Sequence, residues 1–146
     1  MAKETILILD TDKNIAWTLK TLLETKDYLV VVADSVERAA RDFLEFQVSG
    51  FITEYWIQDG QTLDIIRNFK EMCPESYVMM ITDKEIREDE YEKIMQVGID
   101  DYFLKPMPIN KILFHLQKGL KYRGLLAEKK CLEKEKVTAS PAEETS

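Results

Sequence analysis

The segment that decides the fold is Ile6-Leu7-Ile8-Leu9, followed directly by Asp10-Thr11-Asp12. Four apolar residues without alternation are typical of a strand buried on both faces, as in a parallel sheet. The next three residues supply side-chain oxygens that can cap a helix. Ile15, Leu19 and Leu22 then recur at helical spacing, so the segment predicts a buried strand that leads into an amphipathic helix.

The same strand-then-helix unit recurs four more times. The further predicted strands are residues 29–33, 51–53, 78–81 and 102–104. The predicted inner face of the second helix is Val36, Ala40, Phe43 and Leu44, and that of the fourth is Tyr91, Ile94 and Met95, ending at Gly98. Alternating strands and helices with right-handed crossovers predict a doubly wound α/β fold, a five-stranded parallel sheet between two layers of helices.

The composition is that of a water-soluble domain. The 146 residues are 45% hydrophobic and 32% charged, and the apolar runs fall far short of the ~18 residues of a membrane span. We expect no secretory signal, because the first residues are charged. Cys73 and Cys131 are too few for a disulfide framework or a zinc site. We therefore expect a cytoplasmic protein without membrane contact.

Charge divides the chain into three parts. Of the formal net charge of −7, residues 1–110 carry −10, residues 111–136 carry +5 and the last ten residues carry −2. We predict a folded domain over residues 1–121, a basic helical extension over 122–136 and a disordered tail over 137–146. The extension lacks the basic and aromatic interleaving of nucleic-acid binding segments, so nucleic acid is not an expected partner.

Polar side chains gather at the carboxyl edge of the predicted sheet. They are Asp10, Thr11 and Asp12 after the first strand, Glu54 after the third, Thr82 at the fourth and Lys105 after the fifth. Ligands of open parallel sheets bind at this edge. Such a cluster can hold a hard cation through its oxygens, or a phosphoryl group through Lys105 and Thr82. Helix capping is the alternative role of Asp10 and Asp12.

Three segments resemble the receiver domain of two-component response regulators (CheY-like). These are residues 6–10, Met80-Ile81-Thr82 and Gly98-Ile99-Asp100-Asp101-Tyr102-Phe103-Leu104-Lys105-Pro106, and the resemblance covers residues 4–121. It implies the flavodoxin-like strand order 2-1-3-4-5, no enzymatic activity and a cis Lys105–Pro106 bond. In that family an aspartate after the third strand accepts a phosphoryl group from a histidine kinase and binds Mg²⁺ with an acidic pair of the first strand.

Several of the family's switch positions are retained in this sequence. By resemblance, Lys105 is the lysine that contacts the phosphoryl group, Thr82 the hydroxyl that reports it, and Tyr102 the aromatic residue that rotates in concert. Asp10 matches the first member of the acidic pair.

Two positions depart from the pattern. Thr11 replaces the second member of the acidic pair, a usual Mg²⁺ ligand, which leaves weak metal binding by Asp10 and Asp12. Glu54 stands at the phosphoacceptor position, and its longer side chain displaces the carboxylate by ~1 Å, a misplacement that can lower a rate ~10²-fold.

We interpret the chain as a degenerate receiver that is not phosphorylated by the ordinary route, has no catalytic residue and acts as a regulatory protein-binding module. A permanent Glu54 carboxylate facing Lys105 partly mimics a phosphate, with about −1 charge against −1.5 to −2. One alternative is a phosphorylatable receiver that uses Glu54, Asp12 or Asp59. A minor alternative is a haloacid-dehalogenase-type phosphatase, which would use the Asp10-Thr11-Asp12 segment but would lack room for a cap.

The expected partner surface is the face formed by helix four, strand five and helix five, as the family resemblance implies. The acidic run 83–92 favours a basic partner, either a histidine kinase or an output protein, and a homodimer is the alternative assembly. Trp56 is predicted near the site, either packed over its loop or anchoring a partner. His115, the single histidine, is predicted to be a surface or boundary residue away from the site.

Overall fold

A computed structural model describes the backbone of residues 3–58 and 60–144, and the side chains of those residues up to 133 except residue 130. Its strands are β1 (Thr5–Leu9), β2 (Leu29–Ala33), β3 (Val48–Thr53), β4 (Trp56–Ile57), β5 (Gly60–Gln61), β6 (Tyr77–Thr82) and β7 (Asp101–Leu104). Its helices are α1 (Lys13–Thr25), α2 (Val36–Glu45), α3 (Leu63–Met72), α4 (Glu88–Gln96) and α5 (Ile109–Glu144). The five predicted strands and five predicted helices are thus confirmed.

The main sheet contains five parallel strands in the order β2-β1-β3-β6-β7. This is the predicted doubly wound, flavodoxin-like fold. The order reverses between β1 and β3, which are adjacent in the sheet although β2 lies between them in the chain. Side chains that follow β1 and β3 therefore meet in the crevice where open α/β sheets bind ligands.

Two apolar layers cover the sheet and explain the unbroken apolar run of β1. Leu7 and Leu9 face one layer, which includes residues of α2, α3 and α4. Ile6 and Ile8 face the other, which includes residues of α1 and α5. All four side chains are at most 1% exposed, because helices pack on both faces of a parallel sheet.

The predicted inner face of α2 is wrong in part. Val36 and Phe43 are half-buried, but Ala39 is buried in place of Ala40, and Leu44 is 80% exposed. The inward-facing positions of α2 are residues 36, 39, 42 and 43. The side chain of Asp42 is therefore buried against the protein. This carboxylate is buried, with its Oδ1 atom 3.7 Å from the Arg38 Nε atom.

The predicted inner face of α4 is also wrong in part. Ile94 is fully buried, whereas Tyr91 and Met95 are 44% and 49% exposed. Tyr91 packs edge-to-face on Tyr102, with ring centroids 6.0 Å apart. The predicted end of the helix is confirmed, because Gly98 follows it with a φ of 95°, a conformation that favours glycine.

The last helix, α5, continues without interruption from Ile109 to Glu144. It therefore includes the predicted extension 122–136, and it also includes residues 137–144, for which the sequence predicts disorder. The boundaries at residues 121 and 136 stay predictions, and residues 145–146 lie outside the described residues. Over the described residues, no helix combines the length and apolar character needed to cross a membrane.

A short antiparallel hairpin, β4–β5, follows the central strand β3 and was not predicted. Trp56 pairs with Gln61, and Ile57 pairs with Gly60. The sequence indicates only a loop in this stretch. The hairpin positions the residues that immediately follow Glu54.

Candidate functional site

Lys105 is the centre of the carboxyl-edge site. Its Nζ atom lies 2.9 Å from the Asp10 Oδ2 atom and 2.9 Å from the Glu54 Oε2 atom. Asp10 and Glu54 are 8% and 5% exposed, and the Lys105 side chain is 13% exposed. The structure therefore brings three of the predicted site residues into one buried cluster, with two carboxylates and one ammonium group.

Backbone amides complete the hydrogen bonding of both carboxylates. The amide of Asp12 donates to the Asp10 Oδ1 atom at 2.9 Å. The amide of Tyr55 donates to the Glu54 Oε1 atom at 2.8 Å. Each carboxylate thus receives one charged and one neutral hydrogen bond, which offsets the free-energy cost of removing it from water.

Burial shifts the titration of this cluster. Burial raises the pKa of Asp10 above its ordinary value of 3.8, although the Asp12 amide and the Lys105 ammonium oppose this rise. Burial also lowers the pKa of Lys105, but its hydrogen bonds to Asp10 and Glu54 outweigh this effect and hold it above 10.5. Lys105 is therefore a permanent cation at neutral pH.

The acidic stretch after β1 is used for helix capping. Asp12 is the N-cap of α1, and its Oδ1 atom accepts hydrogen bonds from the Asn14 and Ile15 amides at 3.1 and 3.3 Å. Thr11 is exposed. The alternative capping role of Asp12 is thus present in the structure, and Asp12 makes no ion pair with Lys105 among the described contacts.

The two buried carboxylates of the site already share a cationic partner. In the part of the chain that the structure describes, no three His, Cys, Asp or Glu side chains are arranged to hold a metal ion. Asp10 and Glu54 both bind the ammonium of Lys105, which compensates one of their two negative charges. Receiver domains commonly bind Mg²⁺ at this edge, where carboxylate oxygens are the preferred ligands.

The two remaining predicted switch residues lie beside the cluster. Thr82 is fully buried, and its hydroxyl accepts a hydrogen bond from the Lys84 amide at 3.3 Å. Tyr102 is half-buried on β7, where burial raises the pKa of its phenol. The predicted cis peptide bond between Lys105 and Pro106 is present.

The buried hydroxyl of Thr62 connects the two ends of the hairpin, and the sequence pattern does not predict this role. The Thr62 Oγ1 atom donates to the carbonyl oxygens of Glu54 and Tyr55 at 2.8 and 3.2 Å. The Thr62 amide also donates to the Tyr55 carbonyl at 3.0 Å. Nothing in the sequence marks Thr62, because its partners lie seven and eight residues earlier in the chain.

Asp100 and Asp101 lie at the opposite end of β7 from Lys105. The Asp100 Oδ2 atom binds the Lys70 Nζ atom at 3.0 Å and the Val78 amide at 2.8 Å, and its Oδ1 atom binds Arg123. These aspartates therefore stabilise the amino-terminal edge of the sheet.

The two remaining candidate residues, His115 and Trp56, differ in their position relative to the cluster. His115 is half-buried on α5, away from the cluster, with its ring 4.7 Å from that of Phe103. Trp56 is 44% exposed beside the site and packs over the Lys84 ammonium. Asp59, one of the alternative acceptors, lies outside the described residues.

Comparisons with known proteins agree with this geometry. The family model described as "response regulator receiver domain" matches residues 6–117. The uncharacterized transcriptional regulatory protein YkoG of Bacillus subtilis is 23% identical over 128 residues, which are 88% of this chain and 56% of that protein. The chain therefore spans about half the length of this curated relative.

Solved structures show the same fold. A CheY-like receiver domain protein from Methanospirillum hungatei has a TM-score of 0.79 at 19% identity, covering 84% of this chain and 98% of that chain. A receiver domain protein from Clostridium thermocellum has a TM-score of 0.74 at 25% identity, covering 84% and 98%. The strand order, the carboxyl-edge lysine and the family match lead to one conclusion: this chain belongs to the response regulator receiver domain family.

Proposed function

We propose that this receiver domain works without phosphorylation at the usual acceptor position, as a regulatory module that binds another protein. The observation that carries the proposal is the Glu54–Lys105 ion pair, at 2.9 Å. A carboxylate at this position gives Lys105 a lasting anionic partner, as a phosphoryl group does transiently in the family. The domain is then biased toward one conformation by its own sequence.

The same pair disfavours phosphoryl transfer chemically. Both Glu54 oxygens are engaged, one by Lys105 and the other by the Tyr55 amide. A nucleophilic oxygen must be free and aligned with the donor, and misplacement by ~1 Å can lower the rate ~10²-fold. Weak Mg²⁺ binding adds to this, because Thr11 provides a neutral oxygen in place of a carboxylate.

The proposed partner surface is the face of α4, β7 and α5. Tyr91 and Met95 on α4, Leu104 on β7 and Phe114 on α5 are between 44% and 60% exposed. The first turn of α4 is acidic, with Glu88, Asp89 and Glu90. Exposed apolar side chains beside a run of like charge favour a protein partner with an apolar centre and a basic rim. A histidine kinase and an output protein are both compatible with this chemistry, and we expect the cytoplasm as the location.

Incubation with acetyl phosphate and Mg²⁺, followed by mass spectrometry of the intact chain and its peptides, tests the proposal. We expect no acid-stable or acid-labile phosphoryl adduct on the wild-type chain. A labile adduct mapped to Glu54 or Asp12 contradicts the proposal and supports the phosphorylatable alternative. The matched variant Thr11→Asp/Glu54→Asp restores the family's residues, and we expect it to gain an adduct at position 54.

A further inference from the structure

The two residues that follow Glu54 extend away from the cluster toward α4. Tyr55 is 4% exposed and Trp56 is 44% exposed. Their rings pack edge-to-face, with centroids 5.3 Å apart and an angle of 73°. They therefore form one aromatic unit at the base of the β4–β5 hairpin.

This aromatic unit contacts one residue before α4 and one residue in the first turn of α4. The Lys84 Nζ atom lies 5.4 Å from the centre of the Trp56 ring, within the range of a cation–π interaction. At the other side, burial raises the pKa of the Tyr55 phenol, and Glu90 raises it further through its charge and a hydrogen bond. Glu90 is itself held by the Arg87 Nε atom at 3.1 Å.

The same unit is bound tightly to the site. The Tyr55 amide donates to the Glu54 carboxylate at 2.8 Å. The hydroxyl of Thr62, which is fully buried, donates to the backbone carbonyl oxygens of Glu54 and Tyr55. Ile57 is 7% exposed and holds the hairpin in the core. A change in the position of the Glu54 carboxylate therefore acts on the Tyr55 amide through this hydrogen bond, and Tyr55 carries the ring that packs on Trp56.

From this geometry we infer that Tyr55 and Trp56 are positioning residues that transmit the state of the Glu54–Lys105 pair to the start of α4. The inference rests on the proposed function, because it assigns the route by which that pair sets the partner surface. The route is made of contacts already present without a phosphoryl group. This route does not pass through Thr82 and Tyr102, the switch positions that the family resemblance implies.

Hydrogen–deuterium exchange of residues 83–96 tests the inference through a double-mutant comparison. Glu54→Gln removes one of the two charges that Lys105 binds, and we expect it to speed exchange in this segment roughly five-fold. In the Tyr55→Phe/Trp56→Leu background, the same Glu54→Gln change is expected to alter exchange by less than about two-fold. An equal effect of Glu54→Gln in both backgrounds, or no effect in the wild-type background, overturns the inference.

Two sets of controls separate coupling from a structural role. Lys84→Gln/Glu90→Ala removes the same two contacts from the α4 side without touching the core, and it replaces the aromatic variant if that variant does not fold. Lys93→Gln and Glu92→Gln on exposed positions of α4 should leave the effect of Glu54→Gln intact. A phosphodonor assay on the same wild-type sample distinguishes the two proposals: an adduct on Glu54 overturns the proposed function, whereas the exchange comparison alone decides the coupling.

Discussion

Replacing Lys105 by Met tests whether the buried cluster depends on a single cation. The substitution keeps the length of the side chain and removes the charge that compensates Asp10 and Glu54. These carboxylates are 8% and 5% exposed, so neither can recover its hydration in the folded state. Removing one partner from a buried ion pair destabilises a protein by about 3–5 kcal/mol. We expect a loss of that size at about pH 7.5, seen as a urea midpoint lower by ~2 M.

The pH dependence of this loss gives a sharper test. Burial already raises the pKa of Asp10 above 3.8 in the folded wild type, and Lys105 opposes the rise. Without Lys105 the folded-state pKa rises further. A group with a raised folded-state pKa adds stability that is complete below its unfolded-state pKa and lost as the pH rises through the folded-state value. The penalty of Lys105→Met should therefore shrink as the pH falls from about 7.5 to about 5.

Two variants control the experiment. Lys93→Met removes an exposed lysine of α4 and should change stability by less than ~0.5 kcal/mol. Lys105→Met/Glu54→Gln removes one of the two stranded charges, and we expect it to recover at least ~1 kcal/mol of the loss. A loss below ~1 kcal/mol for Lys105→Met, or a loss that is the same at both pH values, would refute the reasoning.

Four further predictions concern helices α2 and α5. Gly119→Ala should destabilise the chain by about 2 kcal/mol or more in urea unfolding, because its Cβ atom would lie only 2.2 Å from the Tyr77 ring. Gly124→Ala, whose Cβ atom would meet nothing within 4 Å, should instead stabilise α5 by ~0.5–1 kcal/mol. Arg123→Met should lower stability by about 1–3 kcal/mol because it leaves Asp100 short of a partner, and the exposed Lys121→Met is its matched control. Ser35→Ala should lose about 1 kcal/mol, because its hydroxyl oxygen caps α2 by accepting a hydrogen bond from the Arg38 amide at 3.0 Å. Thermal or urea unfolding checks each of these, and a Gly119→Ala variant as stable as the wild type would contradict the described packing.

Most of the fold and part of the site could be predicted because they depend on local pattern and topology. An unbroken apolar run such as that of β1 requires helices on both faces, and parallel strands bring their carboxyl ends to one edge. That was enough to place Glu54 next to Lys105. The roles of Thr82 and Tyr102 as switch residues stay predictions.

The remaining features depend on contacts between distant parts of the chain. Trp56 acquires its role from Lys84, which is 28 residues away, and Thr62 from carbonyl oxygens on the other side of a hairpin. The burial of Asp42 depends on how α2 is rotated against the sheet, and the apolar spacing allowed two such rotations. None of these contacts leaves a periodic signal in the sequence.

The ion-paired cluster also affects which molecules can approach the carboxyl edge. Two carboxylates share one ammonium group, so the Asp10–Glu54–Lys105 cluster has a net charge of −1. An incoming dianion at ~6 Å meets a repulsion of about 5 kcal/mol at an effective dielectric constant of ~20. The cluster therefore contributes an electrostatic repulsion to the approach of a small phosphorylated molecule.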